Sequence, residues 1–173
     1  MSYSNKEILE RAREVQKKSE DGVFEGVKYF TLGIVPDQPR MFHKIKHVEL
    51  GNNDVILDGY PRSGNHWMFE VAGGVMNQDI GNEKHHFLFR LLEFMGDDVE
   101  SRIHNFPAPR MISSHLWPRH LPEIIRQGNV KIVYILRNPK DSLASWYRLM
   151  ADLRLPYGFA GTWEECFELS VSL

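Results

Sequence analysis

Residues 54–67 read DVILDGYPRSGNHW, and this stretch decides the fold. Val55, Ile56 and Leu57 form a short apolar run of the kind a buried parallel strand needs, and it leads directly into Gly59, Pro61, Ser63 and Gly64, a cluster of turn formers. Beyond the turn, Trp67, Met68, Val71, Ala72, Val75 and Met76 recur at helical spacing, so the pattern predicts a strand, a tight loop and a helix. Such a loop attracts anions. The first N–H groups of a helix have no intrahelical acceptor, and the positive end of the helix dipole points at whatever the loop holds.

Gly59 and Gly64 have the G-x-x-x-x-G spacing of a nucleoside triphosphate P-loop, but Asn65 and His66 stand where that motif places Lys and then Ser or Thr. The hydroxyl that would hold magnesium is missing, and the cation, Arg62, lies inside the loop. The loop therefore reads as a cradle for a phosphate or sulfate. A nucleotide kinase shares the strand, loop and helix, and the missing Lys and hydroxyl argue against it. A tight turn chosen for backbone geometry alone is the simplest alternative.

Two later stretches have the same shape. Arg110 to His115 reads as a short strand whose C-terminal end presents His115, and the following LPEIIRQG as a helix ended by Gly128. Ile132 to Leu136 is an uninterrupted apolar run, the pattern of a central strand covered on both faces. Arg137 stands at its end, Asn138 is placed to cap a helix, Pro139 fits its first position, and Ser145 falls within it. In open α/β sheets ligands collect at the C-terminal ends of the strands, so the loop, His115, Arg137 and Ser145 should face one another. Arg137 and Ser145 would clamp a second anion.

Elsewhere the chain carries less chemistry. Ser4 or Asn5 begins a peripheral amphipathic helix, residues 21–53 are rich in Gly and Pro and suggest an irregular wrap, and the apolar residues between Phe87 and Phe94 suggest another helix. Adjacent histidines such as His85 and His86 point to different faces and make a poor metal pair, and no metal site is expected. Lys and Arg number 21 against 23 Asp and Glu, a net charge of -2, which leaves no global field to recruit nucleic acid or an anionic membrane. The single cysteine, Cys166, fits a reducing compartment, and no apolar run approaches the roughly 18 residues of a membrane span. The expectation is one cytoplasmic α/β domain over 1–173, with a central parallel sheet between two helical layers.

The loop YPRSGNHW (60–67) resembles Y-P-K-S-G-T-T-W, the loop with which cytosolic sulfotransferases hold the 5′-phosphosulfate of 3′-phosphoadenosine 5′-phosphosulfate (PAPS). PAPRMISSHLWPRHLP (107–122) resembles that family's P-x-P-R-x-x-K-T-H-L-P, and KIVYILRNPKDSLASWY (131–147) its K-x-x-Y-x-x-R-N-x-K-D-x-x-x-S-x-Y. The resemblance implies a P-loop-like fold that transfers sulfonate from PAPS to a small hydrophobic acceptor such as a phenol, alcohol, steroid or amine. It assigns the 5′ anion to Arg62, Ser63, Gly64, Asn65 and His66, the adenine to Trp67, and the 3′-phosphate to Arg137 and Ser145. Phe24, Tyr29 and Phe30 resemble the aromatic segment lining the acceptor pocket, although core packing explains them almost as well. His115 takes the place of the general base, a role that suits a neutral imidazole near pH 7 and contributes roughly a hundred- to ten-thousand-fold in rate.

Two of the departures fall at lysines of the family's motifs. Arg62 replaces a lysine that contacts the leaving oxygen, keeping the charge with a different geometry. Ser113 replaces the lysine of K-T-H, and a lost donor of that kind costs on the order of a hundred-fold. The family's chains continue well past the position of Leu173, through an R-K-G loop and a motif that forms homodimers, so the resemblance implies a C-terminally truncated domain without that motif. The alternative it leaves open is a degenerate relative that binds the nucleotide without turnover.

Overall fold

The computed structural model describes residues 23–28, 38–76, 87–152 and 162–171. The expected N-terminal helix, together with Tyr29, Phe30, His85 and His86, lies outside the described residues. In chain order the described elements begin with a small hairpin, β1 (Val23–Phe24) and β2 (Val27–Lys28), followed by α1 (Gln38–Lys46), β3 (Val55–Gly59) and α2 (Asn65–Val75). Then come α3 (Val99–His104), β4 (Met111–Ser114), β5 (Lys131–Ile135), α4 (Pro139–Asp152) and α5 (Trp163–Val171). β3, β4 and β5 form a parallel sheet in the order β4-β3-β5, with Asp58 beside Ser114 on one side and Tyr134 on the other.

The side-chain alternation of a strand divides β3 between two cores. Ile56 and Ile112 face a cluster built from Met41, Phe42 and Ile45 of α1, Val99 and Ile103 of α3, and Leu92 and Met95. Leu57 and Met111 face the opposite cluster, with Phe69 of α2, Phe87 and Leu91. The result is the expected helix, sheet, helix sandwich, with β3 fully enclosed at its centre. Asp54 staples the strand starts together. It is 2% exposed, accepts the N–H groups of Gly51 and Arg110 at 2.7 and 2.6 Å, and pairs with the Arg110 guanidinium at 2.8 Å.

Several elements differ from expectation. Residues 87–94 form two short 3₁₀ turns, Phe87–Arg90 and Leu92–Phe94, instead of one helix, and Leu91 between them bridges to Ser113 of β4. That contact with the sheet leaves no room for regular helical pitch. Glu123–Gln127 is likewise 3₁₀, ended as expected by Gly128 in a left-handed conformation, φ 75°. Among the described residues β5 is an edge strand, not the central one. Ile132 and Tyr134 are about half exposed, because the helices covering Ile56 and Ile112 lie over β3 and β4. An apolar run records an apolar strand but not its position in the sheet. In α2 the buried line is Asn65, Phe69 and Gly73, while Trp67, Val71 and Val75 face outward.

Candidate functional site

The tips of the three strands lie side by side. Gly59 is in register with Ile135, and Asp58 with Ser114, so the 60–64 loop has the Arg137 segment on one flank and His115 on the other. The loop opens at Gly59 because nothing larger fits: a Cβ there would lie 2.8 Å from the carbonyl oxygen of Ile135 and 2.7 Å from Oδ1 of Asn65. Arg62 (φ 67°) and Gly64 (φ 109°) both have left-handed backbones, a conformation found in anion-holding nests, while the Ser63 N–H between them donates to the Tyr60 carbonyl at 3.1 Å. The first helical bond of α2 runs from Met68 N–H to the Gly64 carbonyl at 2.9 Å, so the N–H groups of Asn65, His66 and Trp67 precede it and point toward the loop.

The side chain of Asn65 does not join them. It is buried, and its Nδ2 donates to the carbonyls of Gly59 and Tyr60 at 3.0 and 3.1 Å, which makes it the internal brace of the loop. Only its backbone N–H remains for an anion. The ring of His66 stacks on Phe87 at 5.3 Å and its Nε2 lies 3.7 Å from Glu70. Trp67 is 69% exposed, which excludes a core role and leaves its face open for stacking.

Two sequence-distant stretches meet directly at Arg62. Its Nε donates to Ser145 Oγ at 3.0 Å, and its carbonyl accepts from Arg137 Nη1 at 2.9 Å. Asn138 Oδ1 accepts the Lys140 N–H at 3.0 Å, so the predicted cap fixes the start of α4 and with it the direction of Ser145. Arg62, Arg137 and Ser145 thus form one basic, hydroxyl-bearing ridge along the ligand edge of β3 and β5.

On the other flank, His115 follows the last residue of β4 and is mostly buried. Its N–H donates to Glu93 Oε1 at 3.1 Å, and its Nδ1 lies 3.3 Å from the same oxygen. Phe87 tilts against the ring at 5.9 Å. Burial lowers the His115 imidazole to about 4, and burial, reinforced by the charge of Asp58, raises the Glu93 carboxyl to about 8. Asp58 is itself raised by burial to about 7, opposed by the backbone N–H of Gly59 and then by the Ser114 hydroxyl. Ser113, in the place of the family's lysine, is completely buried.

Phe24 is half-buried, with its ring against Phe42 at 5.0 Å and His120 at 4.9 Å. A cavity of about 720 Å³ lies at the opposite end of the sheet, lined by strand-start residues such as Gly51 and Arg110, and takes no part in this site. The residues that sequence reasoning missed are Glu93 and Asp58. Each is a carboxylate embedded in an apolar run, LLEF and VILD, and that misfit was the available signal.

A parallel sheet with helices on both faces, its middle strand running into a tight loop and a helix start, defines an α/β protein of the class in which ligands collect outside the strand C-termini. Residues 52–172 match the sulfotransferase domain, and the chain belongs to that family. It is 32% identical over 136 residues to sulfotransferase 6B1 of Danio rerio, covering 77% of this chain and 45% of that protein. Against human sulfotransferase 6B1 the identity is 26% over 162 residues, covering 93% and 52%. Mouse sulfotransferase SULT7A1, solved in complex with PAP, superposes with a TM-score of 0.67 at 25% identity, covering 87% of this chain and 51% of that one. The chain spans about half the length of the curated relatives it matches.

Proposed function

We propose that this chain transfers the sulfonate of PAPS to a hydroxyl or amine of a small, mostly hydrophobic acceptor in the cytoplasm, with His115 as general base. The observation that carries this reading is the direct joining of the loop to the 131–147 motif through Arg62, Arg137 and Ser145. A nucleotide with anions at both its 5′ and 3′ positions needs adjacent anion sites of that kind. When bound, PAPS supplies an activated sulfonate on a phosphate leaving group. The nest at Arg62 and Gly64 and the N–H groups of Asn65, His66 and Trp67 hold the 5′ anion, while the Arg62 guanidinium neutralises charge on the leaving oxygen. Arg137 and Ser145 hold the 3′-phosphate, Trp67 stacks on the base, and His115 takes the acceptor's proton. A contribution of Phe24 to the acceptor pocket belongs to this proposal as well.

Thermal unfolding tests it. Adenosine 3′,5′-bisphosphate raises the melting temperature far more than ATP with magnesium; equal shifts, or none, remove the assignment. A second reading, nucleotide binding without turnover, is favoured by Ser113 in the place of the family's lysine. Radiolabelled transfer to a panel of phenols separates the two. In a chain that turns over, His115→Ala lowers the rate by roughly a hundred- to ten-thousand-fold and leaves the bisphosphate-induced shift in place.

A further inference from the structure

Glu93 sits within LLEFM (91–95), where each flanking side chain is buried or half-buried and apolar, yet its own carboxyl is 4% exposed. Packing gives no reason for a carboxylate here. Its Oε2 is buried without a hydrogen-bond partner, and so is the ring Nδ1 of His115, 22 positions along the chain. Oε1 accepts the His115 backbone N–H at 3.1 Å and lies 3.3 Å from that Nδ1, so one oxygen holds the strand exit and is within reach of the ring. Asp58, from β3, is the charged group acting on Glu93, and Phe87 lies against His115 with His66 stacked on it in turn.

From this geometry we infer that Glu93 is the positioning residue for His115: it holds the ring with Nδ1 turned inward, leaves Nε2 as the proton-accepting atom, and stabilises the ring once the proton has arrived. The inference rests on the proposed role of His115 as base. As the acceptor's O–H bond breaks, its proton passes to Nε2. The electron pair forms the new S–O bond while the bond between sulfur and the donor's phosphate oxygen breaks, and the Nδ1 proton stays directed at Oε1. The burial shifts support this arrangement. An imidazole held near 4 is a weak base, whereas one whose Nδ1–H faces an ionised carboxylate is a stronger one, so the pair gains basicity as Glu93 loses its proton above neutral pH.

The test is the tautomer and titration of the His115 ring, read from ¹⁵N chemical shifts of the full 173-residue chain in the wild type and in Glu93→Gln. The expected result is an Nδ1–H ring at pH 8.5 in the wild type, reached through a step between pH 7 and 9 that Glu93→Gln abolishes. An Nε2–H ring at that pH, or the same titration in both proteins, overturns the inference. Should Glu93→Gln not fold, the wild-type tautomer alone decides. In sulfonate transfer from PAPS to a phenol, Glu93→Gln lowers kcat about tenfold or more with KM for PAPS unchanged, and an unchanged kcat counts against the positioning role. A wild-type chain that neither binds adenosine 3′,5′-bisphosphate nor transfers sulfonate defeats the proposed function, and the ring spectra still decide the link between Glu93 and His115.

Discussion

A methyl group at position 59 would press on the backbone of the neighbouring strand, since the Ile135 carbonyl lies only 2.8 Å from where it would stand. Gly59→Ala should therefore cost about 1–3 kcal/mol, the range for overpacking a tight site, and thermal unfolding of the purified variant measures it. Asn65 shows how a residue's place in a motif understates its job. The motif position assigns it to the anion, and its amide instead braces the carbonyls of Gly59 and Tyr60 that shape the cradle. Arg62 holds a left-handed backbone that costs of order 1–3 kcal/mol in a residue with a Cβ. Its hydrogen bonds to Ser145 and from Arg137 hold it there.

Between elements, the site depends on strand ends being held level, and the anchor for that lies at the far end of the sheet. Asp54 ties the start of β3 to the start of β4 through Arg110, which sets the register that later places His115 beside the loop. Asp54→Ala leaves the half-buried Arg110 without its carboxylate and should cost about 3–5 kcal/mol, a large share of a domain's net stability. Denaturant unfolding checks this, and a loss under about 1 kcal/mol would show that the strand starts are held by packing alone. The 3₁₀ turns before α3 serve the same purpose on the other flank. Their short, irregular pitch brings both Phe87 and Glu93 against His115.

Over the whole molecule, the buried carboxyls give stability a definite dependence on pH. Asp58 and Glu93 titrate near 7 and 8 in the folded chain but near 4 when unfolded. Between those limits the folded state holds protons that the unfolded state has released, so stability falls as pH rises. His115, lowered to about 4, acts the other way, but only below its unfolded value near 6.5, and the lowered His120 is confined to the same range. From pH 6.5 to 8 the carboxyls act alone among these groups, each contributing up to about 1.4 kcal/mol per pH unit while it stays protonated. The melting temperature should therefore drop across that interval at constant ionic strength, and Glu93→Gln should flatten the drop. A wild-type profile that is level or rising would mean that these carboxyls are already ionised when folded.

The strand, loop and helix at 54–76, the strand ahead of His115 and the capped helix after Arg137 were all legible in the residues. Each follows from local rules: apolar runs, turn chemistry, caps and the free N–H groups at a helix start. Membership of the sulfotransferase family was legible too, because its motifs are contiguous. Among the described residues, tertiary structure alone decided that β5 lies at an edge, that Trp67 faces outward while Phe69 faces the core, that the Asn65 side chain braces the loop, and that Glu93 meets His115. The physical reason is the same in each case. Sequence periodicity fixes which residues share a face, but burial and partnership depend on what the rest of the chain brings against that face, and a contact spanning 22 residues through two 3₁₀ turns has no period to betray it.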